Sequence, residues 1–318
     1  MSSGTSSDTA SSGFTNILAQ AKKRPALSAA VVDAQEAHVL EGVLTASKAG
    51  FIDPILIGQR QAIQQQCQQL GCDPDHFPIH EATSEIGAAL AGVELVQAGK
   101  AEALIKGWIH TDVLMRPVLA HLRTARRISH VFVADLQRYH KLLYITDAAI
   151  NISPDLATKA QIVQNAVDLA QLLGVEQAKV AALSAIELVK PTIPSTLDAA
   201  CLSKMAQRNQ ITGAIIDGPL AFDNAISTES ARTKQINSEV AGDVDVLLVP
   251  DLDAGNILAK DLEYLAGATL AGIVIGAQVP IMLPSRADPP EARLASAAIA
   301  VLMHHSWPDG REHHISNR

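Results

Sequence analysis

The segment Pro284-Ser285-Arg286-Ala287-Asp288-Pro289-Pro290-Glu291 sets a hydroxyl, a guanidinium and a carboxylate directly ahead of a helix start. Asp288 reads as the N-cap, Pro289 as the first helical residue and Glu291 as the acid three positions on. In that register Ser285 and Arg286 occupy a loop facing a positive helix end, and the three together suit a phosphate group. A solvent-facing loop is the plainer reading of the same spacing. Lys106-Gly107-Trp108-Ile109-His110-Thr111 follows a β-branched run and adds a cation, a hydroxyl and an imidazole. Asp217 and Asp223 follow another such run and are either a general acid/base pair or turn caps, with turn chemistry the commoner use. A third polar stretch, Pro250-Asp251-Leu252-Asp253-Ala254-Gly255-Asn256, completes a set of three strand-end loops expected to converge. His110 and His130 are expected to be structural or surface residues. Cys67-x4-Cys72-x3-His76-x3-His80 holds four possible zinc ligands, but Cys67 lies in a Gln-rich helical stretch and the spacing fits no common finger. No metal is expected.

Charge narrows the ligand. The chain carries a net −8, yet Lys100 to Lys141 holds eight basic residues against Glu102, Asp112 and Asp135. Arg123, Arg126 and Arg127 stand in that segment, and guanidinium groups fork onto phosphate oxygens. A locally basic stretch in an acidic chain suits a small anion and disfavours nucleic acid or anionic membrane as partner.

These residues need a scaffold, and the sequence describes one. Of 318 residues 48% are hydrophobic and only 3% aromatic, so the core is built from Ala, Val, Ile and Leu. That composition, with a mean hydropathy of +0.16, excludes wholesale disorder. Three cysteines are too few for a disulfide framework and point to a reducing, cytoplasmic setting. Short β-branched runs at Leu27–Val32, Pro54–Gly58, Ala103–Lys106, Lys179–Ser184, Gly213–Asp217, Val244–Pro250 and Gly272–Leu283 alternate with helical stretches. The pattern is α/β with a largely parallel sheet. The uncharged stretch Leu265–Leu283 is a helix stop at Gly267 followed by a strand, not a membrane span. Ser- and Thr-rich residues 1–14 are expected to be a flexible tail. No two glycines lie two apart, which removes the usual dinucleotide fingerprint and the kinase loop, and G-x4-G-K-[ST], G-x-S-x-G and H-E-x-x-H are also missing.

Taken together the loops resemble those of the phosphate acetyl/butyryltransferases, or phosphotransacylases. The likeness rests on Lys106-Gly-x3-Thr111, Ile128-Ser129-His130-Val131, Val180 to Ser184, Asp217 to Ser227, Ala241-Gly242-Asp243, Pro250 to Asn256 and Pro280 to Asp288. It runs from about Lys22 to Met303, with the butyryl branch nearer at Asp217–Ser227 and Ser285–Asp288. The resemblance implies the two-domain α/β fold of the isocitrate/isopropylmalate dehydrogenases, with an interdomain cleft. Residues 15–143 plus 286–318 would form one domain and 144–285 the other. It also implies a homodimer that transfers a short acyl group between CoA and phosphate by direct thiol attack. CoA and acyl phosphate enter as substrates, and no cofactor is needed. Ser285, Arg286 and Asp288 would be catalytic; Lys106, Thr111, Arg126, Arg127, Asp217, Asp223 and Asn256 would bind substrate or phosphate. Acetyl-type members carry an aspartate seven residues after the matching serine, and here that place is Ala292. Asp288 is the expected substitute base. A metal- and NAD-dependent hydroxyacid dehydrogenase on the same fold is the competing reading, kept open by Asp217, Asp223, Asp243, Asp245 and Asp251.

Overall fold

A computed structural model describes residues 13–285 and 288–307. The first half contains helix α1 (Gly13–Ala21), strand β1 (Leu27–Val32), α2 (Ala37–Lys48), β2 (Ile52–Gly58), α3 (Arg60–Gln69), β3 (Ile79–Glu81), α4 (Glu85–Gln97), β4 (Ala103–Lys106) and α5 (Thr111–His121). Strands β5 (Ser129–Asp135) and β6 (Leu143–Thr146) lead on to α6 (Leu156–Leu172), β7 (Ala178–Leu183), α7 (Pro194–Gln207), β8 (Ala214–Leu220), α8 (Phe222–Ile226), α9 (Thr228–Thr233), β9 (Val246–Leu248) and α10 (Leu252–Tyr264). Finally β10 (Thr269–Ile275), β11 (Ile281–Met282) and α11 (Pro290–Ser306) return to the first half.

The strands form one eleven-stranded sheet in the order β3-β2-β1-β4-β11-β10-β5-β6-β9-β7-β8. The α/β class expected from the alternation holds, and most pairings are parallel. Strand β10 is antiparallel to both neighbours and β5 is antiparallel to β6, so the two halves of the sheet run in opposite directions. The expected single strand Gly272–Leu283 is instead the hairpin of β10 and β11. Gly276 turns the chain at φ +92, where a Cβ would stand 2.2 Å from the Arg127 carbonyl oxygen. Both strands are buried on both faces, so the apolar run shows no break at the turn. Gly13 and Phe14, expected in the flexible tail, open α1, and Phe14 is buried.

The two faces of the sheet are packed differently. On one face a single hydrophobic cluster joins α1, α2, α3, α6, α7 and α11 to strands of both halves. On the other face the core is divided: one cluster lies under α4 and α5, and a second under α8 and α10. Along β10, Leu270 belongs to the second cluster and Val274 to the first, with Gly272 between them. Along β5 and the residue before it, Ile128 belongs to the first and Ala134 to the second, with His130 between. Small residues let the helices sit close: a Cβ on Gly92 of α4 would be 2.8 Å from a methyl of Val32. Two helices of the divided face, α4 and α10, start on side-chain caps. Ser84 accepts from Gly87 N at 3.1 Å to open α4, and Asp251 accepts from Ala254 N at 2.9 Å to open α10.

Candidate functional site

The first half is doubly wound. From β1 the chain moves outward through β2 and β3, then crosses back to place β4 on the other side of β1. The crevice between the carboxyl ends of β1 and β4 is therefore a topological switch point, where open α/β sheets take ligands. Val32 and Lys106 are paired across it. Beyond that pair the loops are laced together, with Gly107 N donating to Val32 O at 2.8 Å and Trp108 N to Asp33 O at 3.0 Å. A Cβ on Gly107 would lie 2.2 Å from the Asp33 carbonyl, so only glycine allows this approach. Asp33, in the left-handed region at φ 64, and Lys106 are both buried, and burying charges needs compensation. Thr111 opens α5 at the edge of the crevice.

Strand β11 runs parallel beside β4, with Met282 opposite Ile105, and carries the chain into Leu283, Pro284 and Ser285. Arg286 and Ala287 lie outside the described residues. Asp288 is not the helix N-cap expected of it. That position falls to Pro289, and the Asp288 carboxylate turns back to accept from Ser285 N at 2.7 Å. Arg293, one turn into α11, donates to the Ser285 carbonyl at 3.0 Å and the Asp288 carbonyl at 3.3 Å. Burial is the main cause that pushes the Asp288 carboxyl up to about 6; Glu263 adds to it, while Ser285 N–H, Arg293 and Lys260 oppose it. A carboxyl titrating there can exchange protons near neutral pH. Ala292 is buried in α11.

The three strand-end loops do not converge as expected. Because direction reverses across β10, β5 and β6, the carboxyl ends of β8 and β9 lie at the opposite end of the sheet from that of β11. Helix α10 connects the two ends: it starts at the β9 loop and brings Lys260 and Glu263 into the field of Asp288. In its second turn Asn256 donates to the Ala148 carbonyl at 3.3 Å. Arg127 reaches the same 147–151 loop, donating to Asn151 Oδ1 at 2.9 Å. Asn151 in turn donates to Asp147 at 2.6 Å. The buried Asp147 carboxylate also accepts from the backbone N–H groups of His130, Ala149, Ile150 and Asn151.

Other expected ligand residues are engaged elsewhere. Arg126 turns to the continuous-core face, where its guanidinium binds Asn165 and Asp168 of α6 and lies 5.9 Å from the Trp307 ring centroid. Asp217 accepts from its neighbour Gly218 N at 2.8 Å. Asp223 accepts from Ser230 Oγ at 2.6 Å and pairs with Lys234; these two partners hold its pKa below the usual carboxylate value. Among the described residues no three His, Cys, Asp or Glu side chains gather in a way that could hold a metal. Burial, aided by Cys72, pushes the Cys67 thiol up to about 12. Sequence reasoning passed over Asp33, Asp147 and Arg293. Asp33 had a signal, being the polar residue that ends the first strand; Arg293 had none beyond its place in an apolar helix.

Comparison with known proteins bears on what this cleft does. The family model described as phosphate acetyl/butaryl transferase matches residues 81–301. A phosphate acetyltransferase of Rhizobium meliloti is 51% identical over 83% of this chain and 84% of its own length. A phosphate butyryltransferase of Clostridium acetobutylicum is 41% identical over 91% of this chain and 97% of its own. Over the matched residues, then, identity is higher to this acetyl enzyme than to this butyryl enzyme, although two loops resemble the butyryl branch. Among solved structures, a branched-chain phosphotransacylase from Enterococcus faecalis superposes with a TM-score of 0.74 at 30% identity, covering 88% of this chain and 99% of that one.

Proposed function

The chain belongs to the phosphate acetyl/butyryltransferase family, and from that premise we propose how its cleft works. It is an acyltransferase that moves a short acyl group between CoA and phosphate; these relatives lend the dehydrogenase reading no support. The observation that carries the site assignment is the register of β4 with β11. It sets the buried Lys106 one residue from the Ile105–Met282 pair, beside the strand that leads into Ser285.

In the proposed reaction the CoA sulfur attacks the carbonyl carbon of the acyl phosphate. The new C–S bond forms, the bond from that carbon to the phosphate oxygen breaks, and inorganic phosphate departs; the reverse direction uses phosphate as nucleophile. No acyl-enzyme is formed. A CoA thiol of pKa about 8.5 is mostly protonated at neutral pH, so the step needs a proton acceptor. Asp288 takes that proton, its raised pKa making it a base matched to the task. Ser285 orients the thiol, while Lys106 and Arg286, with Thr111 at the start of α5, hold the phosphate and balance charge developing on it. Arg127 and Asn256 brace the 147–151 loop at the other end of the sheet. Arg126 acts structurally, through Asp168.

We also propose a homodimer, read by light scattering as twice the 33.6 kDa chain mass, and a cytoplasmic location in keeping with three free cysteines. Among the described residues no helix is long and apolar enough to cross a membrane. Thioester formation from CoA and acetyl, propionyl or butyryl phosphate, without NAD or added metal, tests the activity. Turnover with at least one donor is expected, and the ranking of the three gives acyl length. Silence with all three, together with NAD reduction on a hydroxyacid plus divalent metal, would overturn the reading.

A further inference from the structure

His130 lies on the seam of the divided face, between its two clusters, and is fully buried. Its backbone is well used: N donates to Asp147 Oδ2 at 3.2 Å, and its carbonyl accepts from Thr146 Oγ1 at 2.8 Å. Its ring is not. Neither Nδ1 nor Nε2 has a hydrogen-bond partner among the described residues, although both are buried. The ring meets the edge of Phe132 with centroids 4.4 Å apart. Nε2 stands 3.0 Å from where a Cβ on Gly272 would be, and the Leu283 carbonyl oxygen stands 3.4 Å from the same point. Leu283 is one residue past the Ile105–Met282 pair, so the row Lys106, Leu283, Gly272 crosses the sheet and ends under this ring. Two strand spacings, roughly 10 Å, separate its ends.

A leucine or phenylalanine would fill this space without stranding two nitrogens away from water. Burial lowers the imidazole to about 4, against the pull of Asp147, the carboxylate that faces it. The ring is therefore neutral at working pH, with one N–H and one lone pair, and too weak a base to deprotonate a thiol. A neutral, fixed donor in a dry site is what a developing oxyanion needs.

We propose that His130 is a catalytic residue, donating a ring N–H hydrogen bond to the acyl carbonyl oxygen as negative charge develops there. The inference rests on the acyl-transfer reading and adds a residue to it. As sulfur bonds to the carbonyl carbon, the carbonyl π pair moves onto oxygen and is met by the imidazole N–H. As the C–O bond to phosphate breaks, the pair returns, and the imidazole keeps its proton throughout. For substrate to reach the buried ring, the two clusters of this face must part above Gly272. The two are separate clusters, so such an opening breaks neither.

The test compares wild type with His130→Phe, His130→Leu and His130→Gln, reading kcat for thioester formation from CoA and acetyl phosphate beside the thermal midpoint. The apolar variants are expected to melt at or above the wild-type temperature while kcat falls on the order of 10²-fold or more. The Gln variant, which restores a donor, is expected to recover at least tenfold of that loss. Well-folded Phe or Leu variants with kcat within threefold of wild type would overturn the inference, as would a Gln variant as slow as Leu. Loss of the fold in both apolar variants would assign the ring to packing and also overturn it. A wild type silent with acetyl, propionyl and butyryl phosphate alike refutes the acyl-transfer reading itself, whereas active wild type with active Phe variant refutes only this step.

Discussion

The two faces of the sheet are made from the same strands, yet one is sealed and the other is split. On the sealed face Val131 and Val133 of β5 and Ala271, Ile273 and Ile275 of β10 join a cluster that runs through both halves. One residue over, on the alternate positions, Gly272 and His130 interrupt the packing. The difference teaches how a cleft is built without loosening the molecule. One face holds the halves in a fixed relation, and the opposite face withholds apolar contacts along a single line of residues, where Lys106 and the Ser285–Asp288 segment can meet a ligand.

That contrast yields graded expectations. The largest concerns the sealed face: Ile299→Ala, in the buried middle of α11, should cost about 2–5 kcal/mol by denaturant unfolding while leaving kcat within twofold. A loss under 1 kcal/mol would mean that this face does not carry the stability assigned to it. On the split face the effects should reverse. Lys106→Met should lower kcat/KM for acyl phosphate about 10²–10³-fold in protein that still folds, as read by circular dichroism. An active Lys106→Met enzyme would remove the phosphate from this crevice.

Asp288 gives a smaller effect with a pH signature. Its folded pKa of about 6 lies above the ordinary carboxylate value of 3.8, so its contribution to stability is fully present below pH 3.8 and is lost as pH rises through 6. Activity should run the other way, with kcat/KM rising through an acid limb near pH 6 as the base ionises. Asp288→Asn should abolish that limb and lower kcat about tenfold at pH 8, where a thiol of pKa about 8.5 is already partly ionised. A variant that keeps the limb would assign it to another group. Smallest of all, Asp251→Ala should cost about 1 kcal/mol through the lost cap of α10; a neutral result would show that the helix start is held by other means.

Much of the first half was legible because its signals are local. Leu27–Val32 and Ala103–Lys106 are strands with the bounds their β-branched runs imply, and Lys106 and Thr111 stand at the strand and helix ends where their spacing put them. The β10–β11 hairpin was not legible, since a strand buried on both faces has no alternation to lose at a turn. Asp288 shows the limit for the site. Its proline neighbours read as a capping pattern, but its environment is set by Arg293, Lys260 and Glu263, which only tertiary packing brings near. Arg126 shows the converse, since nothing in a basic run reveals that Asp168 of α6 takes up one guanidinium while the next, Arg127, turns to Asn151.

Amide hydrogen exchange with and without bound CoA and acetyl phosphate tests the central claim most directly, because it reads both faces at once. Protection is expected in residues 106–111, 127–131, 147–152 and 283–293, the segments bordering the seam of the split face, with none gained in α6, α7 or the second half of α11. Protection confined to the sealed face, or absent from 106–111 and 283–293 in a turning-over enzyme, would contradict the account.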